Sequence, residues 1–171
     1  MSLNINNKDH VMGSLDAPVI LIEYADYQCP YCREAYAVVK KAQKELGENL
    51  AFVFRNFPLT ELHPHALHAA IAAEIAAGYG KFWQMHDMLF ENQQNLDDNY
   101  LIEYAEELDI DSGQFEEDFA KDQYIQKIKA DLQSGTQNDV EGTPTFFVNG
   151  KAFEGNWMSY DFIRYLNSQV K

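Results

Sequence analysis

Residues 16–33 of the chain read DAPVILIEYADYQCPYCR, and this stretch contains both of its cysteines. The first part, residues 17–26, is almost continuously apolar and rich in β-branched residues, which predicts a strand buried on both faces. Apolar residues then recur at helical spacing over residues 33–46, which predicts a helix. Cys29 and Cys32 are therefore expected where the first strand meets the first helix.

The remainder of the chain divides into a helical part and a second α/β part. Residues 50–58 predict a second strand that ends at a proline, so the chain starts with a β-α-β unit of parallel strands. Residues 61–138 have amphipathic helical patterns and no convincing strand. Residues 140–155 predict a strand, a turn at Asn149-Gly150 and another strand, and Ser159 is the predicted N-cap of a final helix.

The predicted fold class is therefore α/β, with an all-helical insertion between a β-α-β half and a β-β-α half. We predict one discontinuous α/β domain over residues 16–60 and 139–171, an inserted helical domain over 61–138, and an N-terminal extension over 1–15. Asp111 has a glutamine three residues after it, and this capping-box spacing predicts the start of one inserted helix.

Composition and charge exclude several classes of protein. The chain has 171 residues and is 46% hydrophobic, which is enough for a packed core. Its formal net charge of −14 repels phosphate backbones, so nucleic acid is not an expected partner. No signal peptide and no membrane span are predicted, because the sequence contains no apolar run of the necessary length. The chain as it stands is expected in the cytoplasm, or in the periplasm or cell envelope if an export signal has been removed.

The position of the cysteine pair favours thiol chemistry. At the start of a helix the unpaired N–H groups and the helix dipole favour an anion, so the pKa of Cys29 should fall within the range of about 3.5–7.5 typical of activated cysteines. Pro30 suits the first helical turn, where its missing N–H costs nothing. Arg33 adds a positive charge nearby.

Glu23 is the one charged residue inside the first predicted strand. If the side chain is buried, its pKa is raised and it can exchange protons with a neighbouring group. The alternative is that Glu23 points to solvent near the end of the strand.

A zinc site is the main competing use of the cysteines. His63, His65 and His68 could complete a set of two cysteines and two histidines. These histidines lie far along the chain from Cys32, and a proline stands inside the cysteine pair at a predicted helix start. We therefore expect no metal, and we expect the histidines to be capping and surface residues at the entry to the helical insertion.

Two motifs far apart in the chain carry a resemblance to a known family. Residues 29–32, CPYC, follow a strand; Thr143 and Pro144 precede a late strand; and a long helical insertion separates them. In this combination the chain resembles the thioredoxin-fold superfamily and, more narrowly, the DsbA-like thiol-disulfide oxidoreductases, from about Asp16 to the C-terminus.

The resemblance implies a role for each of these residues. Cys29 would be the attacking thiol, Cys32 the buried resolving thiol, and Glu23 the acidic residue beneath them. Pro144 would follow a cis peptide bond and pack beside the cysteines, and the backbone of Thr143 would bind a substrate peptide. The resemblance implies protein or peptide substrates with thiols or disulfides, a redox partner protein or glutathione that recycles the pair, and no cofactor.

Tyr31 departs from the family pattern. The prototype oxidases have Pro-His between the cysteines, whereas this chain has Pro30-Tyr31, which is typical of glutaredoxins. A tyrosine lacks the positive charge of an imidazolium, so the pair should be less oxidising than in those prototypes. The main alternative from another functional class is a redox-inert module of the same fold that binds extended peptides beside Pro144 in the manner of a chaperone.

Overall fold

The computed structural model describes residues 3–171, so residues 1 and 2 of the predicted N-terminal extension lie outside the described residues. In chain order the elements are β1 His10–Met12, β2 Val19–Ala25, α1 Pro30–Leu46, β3 Leu50–Asn56, α2 Ala66–Gly78, α3 Phe82–Glu91, α4 Asp98–Glu107, α5 Ser112–Phe119, α6 Asp122–Gln137, β4 Thr145–Val148, β5 Lys151–Ala152 and α7 Tyr160–Ser168. The predicted α/β class with a helical insertion is confirmed.

The strands form one five-stranded sheet in the order β1-β3-β2-β4-β5. β2 and β3 are parallel, with Glu23 opposite Phe54, as expected for a β-α-β unit. β4 lies antiparallel to β2 on its other side, with Glu23 opposite Phe146. β1, which no sequence pattern predicted, pairs antiparallel with the outer edge of β3. The sheet therefore has Glu23 on its central strand, between two aromatic neighbours.

The two faces of β2 pack into different hydrophobic clusters. Leu21 and Ala25 belong to the large core, which also contains the buried face of α1 and much of the helical insertion. Ile22 and Tyr24 belong to a smaller cluster on the opposite face. Because side chains alternate along a strand, Glu23 points into the large core, on the side of the sheet covered by α1.

The residues predicted to cap helices and to form the hairpin turn do so in the structure. The Asp111 side chain accepts a hydrogen bond from the N–H of Gln114 at 2.9 Å, and α5 begins after it. The Ser159 side chain accepts one from the N–H of Asp161 at the start of α7. Asn149 and Gly150 both have positive φ, at 49° and 82°, which matches the tight hairpin turn predicted for them.

The helical insertion is packed around an aromatic and aliphatic interior. The apolar stripe of α3 faces the core, with Phe82, Met85, Leu89 and Phe90 buried. α2 is rich in alanine and is buried along almost its whole length, which allows close approach of α3 and α6. Between residues 3 and 171, none of the helices is both long and apolar enough to cross a lipid bilayer.

Candidate active site

Cys29 occupies the N-cap position of α1. Its backbone is extended, with φ −71° and ψ 123°, and Pro30 is the first residue of the helix. The helix therefore starts at Pro30, three positions before the predicted Arg33, because a proline at that position needs no N–H partner. The Cys29 N–H donates to the carbonyl of Asp26 at 3.1 Å, and the Arg33 N–H donates to the carbonyl of Cys29 at 3.2 Å. The first turn of α1 thus fixes the backbone around Cys29.

The two sulfurs have opposite acid–base properties. Both cysteines are free and buried, and Cys32 is the deeper of the two. A hydrogen bond from the Cys32 thiol lowers the pKa of Cys29 to about 5, assisted by the backbone N–H groups of Cys32 and Tyr31 and opposed by burial. Burial raises the pKa of Cys32 well above the usual value for a thiol. At neutral pH the pair therefore combines a thiolate at Cys29 with a thiol at Cys32.

Glu23 is buried on the same side of the sheet as the cysteines, and only 1% of its surface is exposed. The alternative that it points to solvent is therefore wrong. Burial raises the pKa of Glu23 to about 8, and the negative charge of Cys29 contributes to the increase. No group within residues 3–171 forms a hydrogen bond with Glu23 Oε2. Glu23 can therefore hold a proton near neutral pH and release it with a small change in its surroundings.

A small cavity of about 10 Å³ lies on the side of Glu23 that faces α1 and α3. Its lining includes Lys40 and Gln43 from α1 and His86 from α3. Burial keeps the pKa of His86 well below its usual value, and its Nδ1 shares a hydrogen bond with the hydroxyl of Tyr27 at 2.9 Å. This volume suits about one water molecule, so Glu23 has a polar neighbourhood inside an otherwise apolar core.

Thr143 and Pro144 lie beside the cysteines, immediately before β4. The peptide bond between them is cis. The Cys29 Sγ lies 3.7 Å from the carbonyl oxygen of Thr143, across 114 positions of sequence. The Thr143 hydroxyl is buried and no other described residue hydrogen-bonds to it. The two predicted motifs of the sequence, 29–32 and 143–144, are therefore adjacent in space.

Tyr31 differs from both cysteines in its exposure. Tyr31 is 57% exposed, whereas the two cysteines on either side of it in sequence are buried. The Arg33 side chain forms no hydrogen bond with the Cys29 sulfur, and its guanidinium lies 5.4 Å from the centre of the Tyr36 ring. The positive charge expected near Cys29 is thus directed at an aromatic face.

Several residues that support the cysteine turn were not predicted from the sequence. Asp26 is buried and its side chain accepts hydrogen bonds from the N–H groups of Gln28 and Leu59. Gln93, after the end of α3, donates from Nε2 to the carbonyls of Tyr27 and Cys29, both at 2.8 Å. Asp26 stands inside the opening motif, so its polarity in a buried segment was a usable signal. Nothing in the local sequence pairs Gln93 with that motif.

The three histidines have three different environments. His65 is at the N-cap of α2 without a side-chain capping bond, and His68 is a half-exposed surface residue bonded to Asp98 at 2.6 Å. His63 lies near the surface at the entry to the insertion, as expected, but it is partly buried and its Nδ1 lies 2.8 Å from Oδ2 of the buried Asp26. Over the described part of the chain, no group of three or more histidine, cysteine, aspartate or glutamate side chains is arranged to hold a metal ion.

Comparison with known proteins places this geometry in a family. The family model described as Thioredoxin matches residues 5–168 of the chain. Among solved structures, oxidised BdbD from Bacillus subtilis superposes with a TM-score of 0.81 and 26% identity, covering 94% of this chain and 91% of that one. A thioredoxin-like oxidoreductase from Silicibacter pomeroyi gives 0.83 and 24%, covering 96% and 92%. The alpha-DsbA1 of Wolbachia pipientis gives 0.81 and 19%, covering 97% and 92%.

Curated relatives of higher sequence identity are named as Na(+)/H(+) antiporters. Na(+)/H(+) antiporter NhaA 3 of Salinispora tropica is 43% identical over 149 residues, which cover 87% of this chain and 23% of that protein. Na(+)/H(+) antiporter NhaA of Herminiimonas arsenicoxydans is 37% identical over 149 residues, covering 87% and 24%. The chain spans about a quarter of the length of the curated relatives that it matches.

Proposed function

The chain belongs to the thioredoxin family and has the fold of the DsbA-like oxidoreductases, and on that basis we propose that it exchanges disulfides with protein or peptide thiols through Cys29 and Cys32. One observation carries this proposal: the pKa of Cys29 is lowered to about 5 while burial raises the pKa of Cys32. Only the thiolate attacks a disulfide, so this difference separates an attacking sulfur from a resolving one.

The exchange takes place in two steps. The Cys29 thiolate attacks one sulfur of a substrate disulfide, forming a mixed disulfide and releasing the other substrate sulfur as a thiolate. Cys32 then loses its proton and attacks Cys29 Sγ, which breaks the mixed disulfide and releases the second substrate thiolate. The substrate gains two electrons and is reduced, and the enzyme is left with a Cys29–Cys32 disulfide. The reverse sequence oxidises a substrate dithiol.

The second step requires a base for Cys32, and we assign this role to Glu23. Its pKa of about 8 lies near neutral pH, and it lies on the same face of the sheet as Cys32. The negative charge of Glu23 raises the pKa of Cys32, so the two groups interact electrostatically. A proton taken from Cys32 would neutralise Glu23 and remove that unfavourable interaction.

Thr143 and Pro144 are proposed to hold the substrate peptide next to Cys29. The support is the 3.7 Å separation between the Cys29 sulfur and the Thr143 carbonyl, together with the exposed Tyr31 ring on the same turn. An extended peptide could bond to the Thr143 backbone while its sulfur approaches Cys29. A redox partner protein or glutathione would then return the pair to its starting state.

The names of the curated relatives describe ion antiport. The chain corresponds to about a quarter of each of those proteins. Our proposal concerns the cysteine chemistry of the segment spanned by the family match and assigns no ion transport to this chain.

The test is a trapping experiment combined with a turnover assay. Wild-type protein should accelerate the reduction of insulin by dithiothreitol, and Cys29→Ser should abolish the acceleration. Cys32→Ser should form a stable mixed disulfide with a cysteine-containing peptide, detectable by mass spectrometry, because the resolving thiol is missing. Absence of both acceleration and equilibration with glutathione in the wild type would disprove the proposal. Peptide binding that persists in Cys29→Ser without any exchange in the wild type would instead identify a redox-inert binding module.

A further inference from the structure

We propose that His63 is a positioning residue for the cysteine pair and acts through the side chain of Asp26. The inference rests on the proposed disulfide exchange, because its consequence is a change in the redox equilibrium of Cys29 and Cys32. It concerns a side chain that lies outside the motif and more than one element away from it in sequence.

The backbone of Asp26 contacts both cysteines. Its N–H donates to Cys32 Sγ at 3.5 Å, and its carbonyl accepts the N–H of Cys29 at 3.1 Å. Asp26 comes directly after the end of β2, so its backbone links the central strand to the first turn of α1. A shift of this residue would therefore move hydrogen-bond partners of Cys29 and Cys32 at the same time.

The side chain of Asp26 fixes that backbone in place. It is buried, with 1% of the residue exposed. Oδ1 accepts the N–H of Gln28 at 2.7 Å, and Oδ2 accepts the N–H of Leu59 at 2.8 Å and Nδ1–H of His63 at 2.8 Å. Within residues 3–171, His63 is the one side-chain donor to this carboxyl group. The other two donors are backbone groups that no substitution removes cleanly.

His63 itself lies near the surface, on the segment that joins β3 to α2. Its side chain is 20% exposed, and the neighbouring Leu62 is 72% exposed. The segment is attached to the cysteine turn at two further places, where Leu59 bonds to Asp26 and the Gln28 side chain accepts the N–H of His65. His63 therefore connects a surface loop to the turn that contains the sulfurs.

Removing the imidazole should loosen the turn and weaken the stabilisation of the thiolate. The Asp26 N–H helps to orient the Cys32 thiol, and that thiol is the main donor to the Cys29 sulfur. A less well oriented donor stabilises the Cys29 thiolate less, so the reduced state is disfavoured and the pair becomes less oxidising. We expect the equilibrium constant with glutathione to change by roughly threefold to tenfold for His63→Ala, a part of what one hydrogen bond to a charged group is worth.

The experiment compares His63→Ala with His63→Asn and with a surface control. The asparagine amide can place an N–H donor near the position of Nδ1, so His63→Asn should restore most of the wild-type equilibrium constant. His68→Ala removes a histidine of the same type from a half-exposed pair with Asp98 and should have no effect. For each protein we would measure the equilibrium with glutathione, the pKa of Cys29 from the ultraviolet absorbance of its thiolate, and the thermal unfolding midpoint.

The outcomes separate positioning from a merely structural role. A His63→Ala protein that is folded and has the wild-type equilibrium constant and wild-type Cys29 pKa would overturn the inference, even if its unfolding midpoint falls. If His63→Ala does not fold, His63→Asn and His63→Gln decide, because the longer glutamine amide reaches the Nε2 position instead. Equal equilibrium constants for these two variants would overturn the inference, and a changed constant for His63→Gln alone would support it. If the wild type exchanges no disulfide, the proposed function fails, while the absorbance titration of Cys29 still tests the role of His63.

Discussion

Replacing Glu23 with glutamine should change how the stability of the protein depends on pH. Burial raises the pKa of Glu23 from 4.5 to about 8. Between these two pH values the Glu23 side chain holds its proton in the folded protein and has released it in the unfolded chain. The free energy of unfolding of the wild type should therefore contain a contribution that falls by about 1.4 kcal/mol for each unit of pH.

The sign and the size of this contribution follow from the two pKa values. It is fully present below 4.5, where both states are protonated, and it is lost as the pH rises through about 8. Over the whole window the loss amounts to as much as about 5 kcal/mol. Glutamine has nearly the same shape and does not titrate, so Glu23→Gln should lack this pH-dependent term and gain stability relative to the wild type as the pH rises.

Urea unfolding measures this difference directly. Both proteins would be unfolded in the presence of reductant at four pH values between about 5 and about 8, with the m-value fitted at each. The difference between them cancels the contribution of Cys29, whose lowered pKa acts in the opposite direction. Glu34→Gln, on the exposed face of α1, is the control, and its free energy of unfolding should depend on pH as that of the wild type does. If the free energy of unfolding of Glu23→Gln has the same pH dependence as that of the wild type, Glu23 does not have the raised pKa on which the proposed proton transfer from Cys32 depends.

Two further substitutions test the site and the packing. Cys32→Ala should raise the pKa of Cys29 from about 5 towards the free value of about 8.5, because the Cys32 thiol is its main donor, whereas Cys32→Ser keeps a donor and should keep it low; alkylation rates as a function of pH would show this, and equal values for the two variants would contradict it. Gly135→Ala should destabilise the fold by about 1–3 kcal/mol, because the new Cβ would lie 2.7 Å from the Phe57 ring. The new Cβ of Gly142→Ala meets no atom within 4 Å, so this substitution should change the free energy of unfolding by less than about 1 kcal/mol. Similar losses of unfolding free energy in the two variants would contradict the packing argument.

Much of the fold could be predicted because its strands and helices follow from local sequence patterns. The buried strands β2 and β3 are mostly apolar, apart from Glu23 in β2 and the last two residues of β3. Each inserted helix shows an apolar face or a capping residue such as Asp111. β1 was missed because three half-buried residues, His10–Met12, carry no recognisable period. Its pairing with β3 is stabilised from outside the strand, by the buried Arg55 bonded to Asp9 at 2.8 Å.

The site could be predicted only where its residues lie in motifs. Cys29, Cys32 and Glu23 stand within one strand-to-helix segment, so their proximity follows from the local structure. The contact of Cys29 with Thr143 was expected from a family resemblance and from no local rule. His63 and Gln93 form hydrogen bonds to residues far away in sequence, and such contacts depend on how the helical insertion packs against the sheet.

The exposure of Tyr31 has a consequence for engineering. Its ring lies mostly in solvent while the sulfurs on either side are buried, so a substitution there leaves the hydrophobic core untouched. Side chains of different charge and hydrogen-bonding capacity at this position would act on the Cys29 thiolate without a repacking cost. Variants from a saturation library at position 31 should therefore differ in reduction potential while folding with nearly uniform yield. Substitution of this one surface residue would then adjust the redox properties of the cysteine pair.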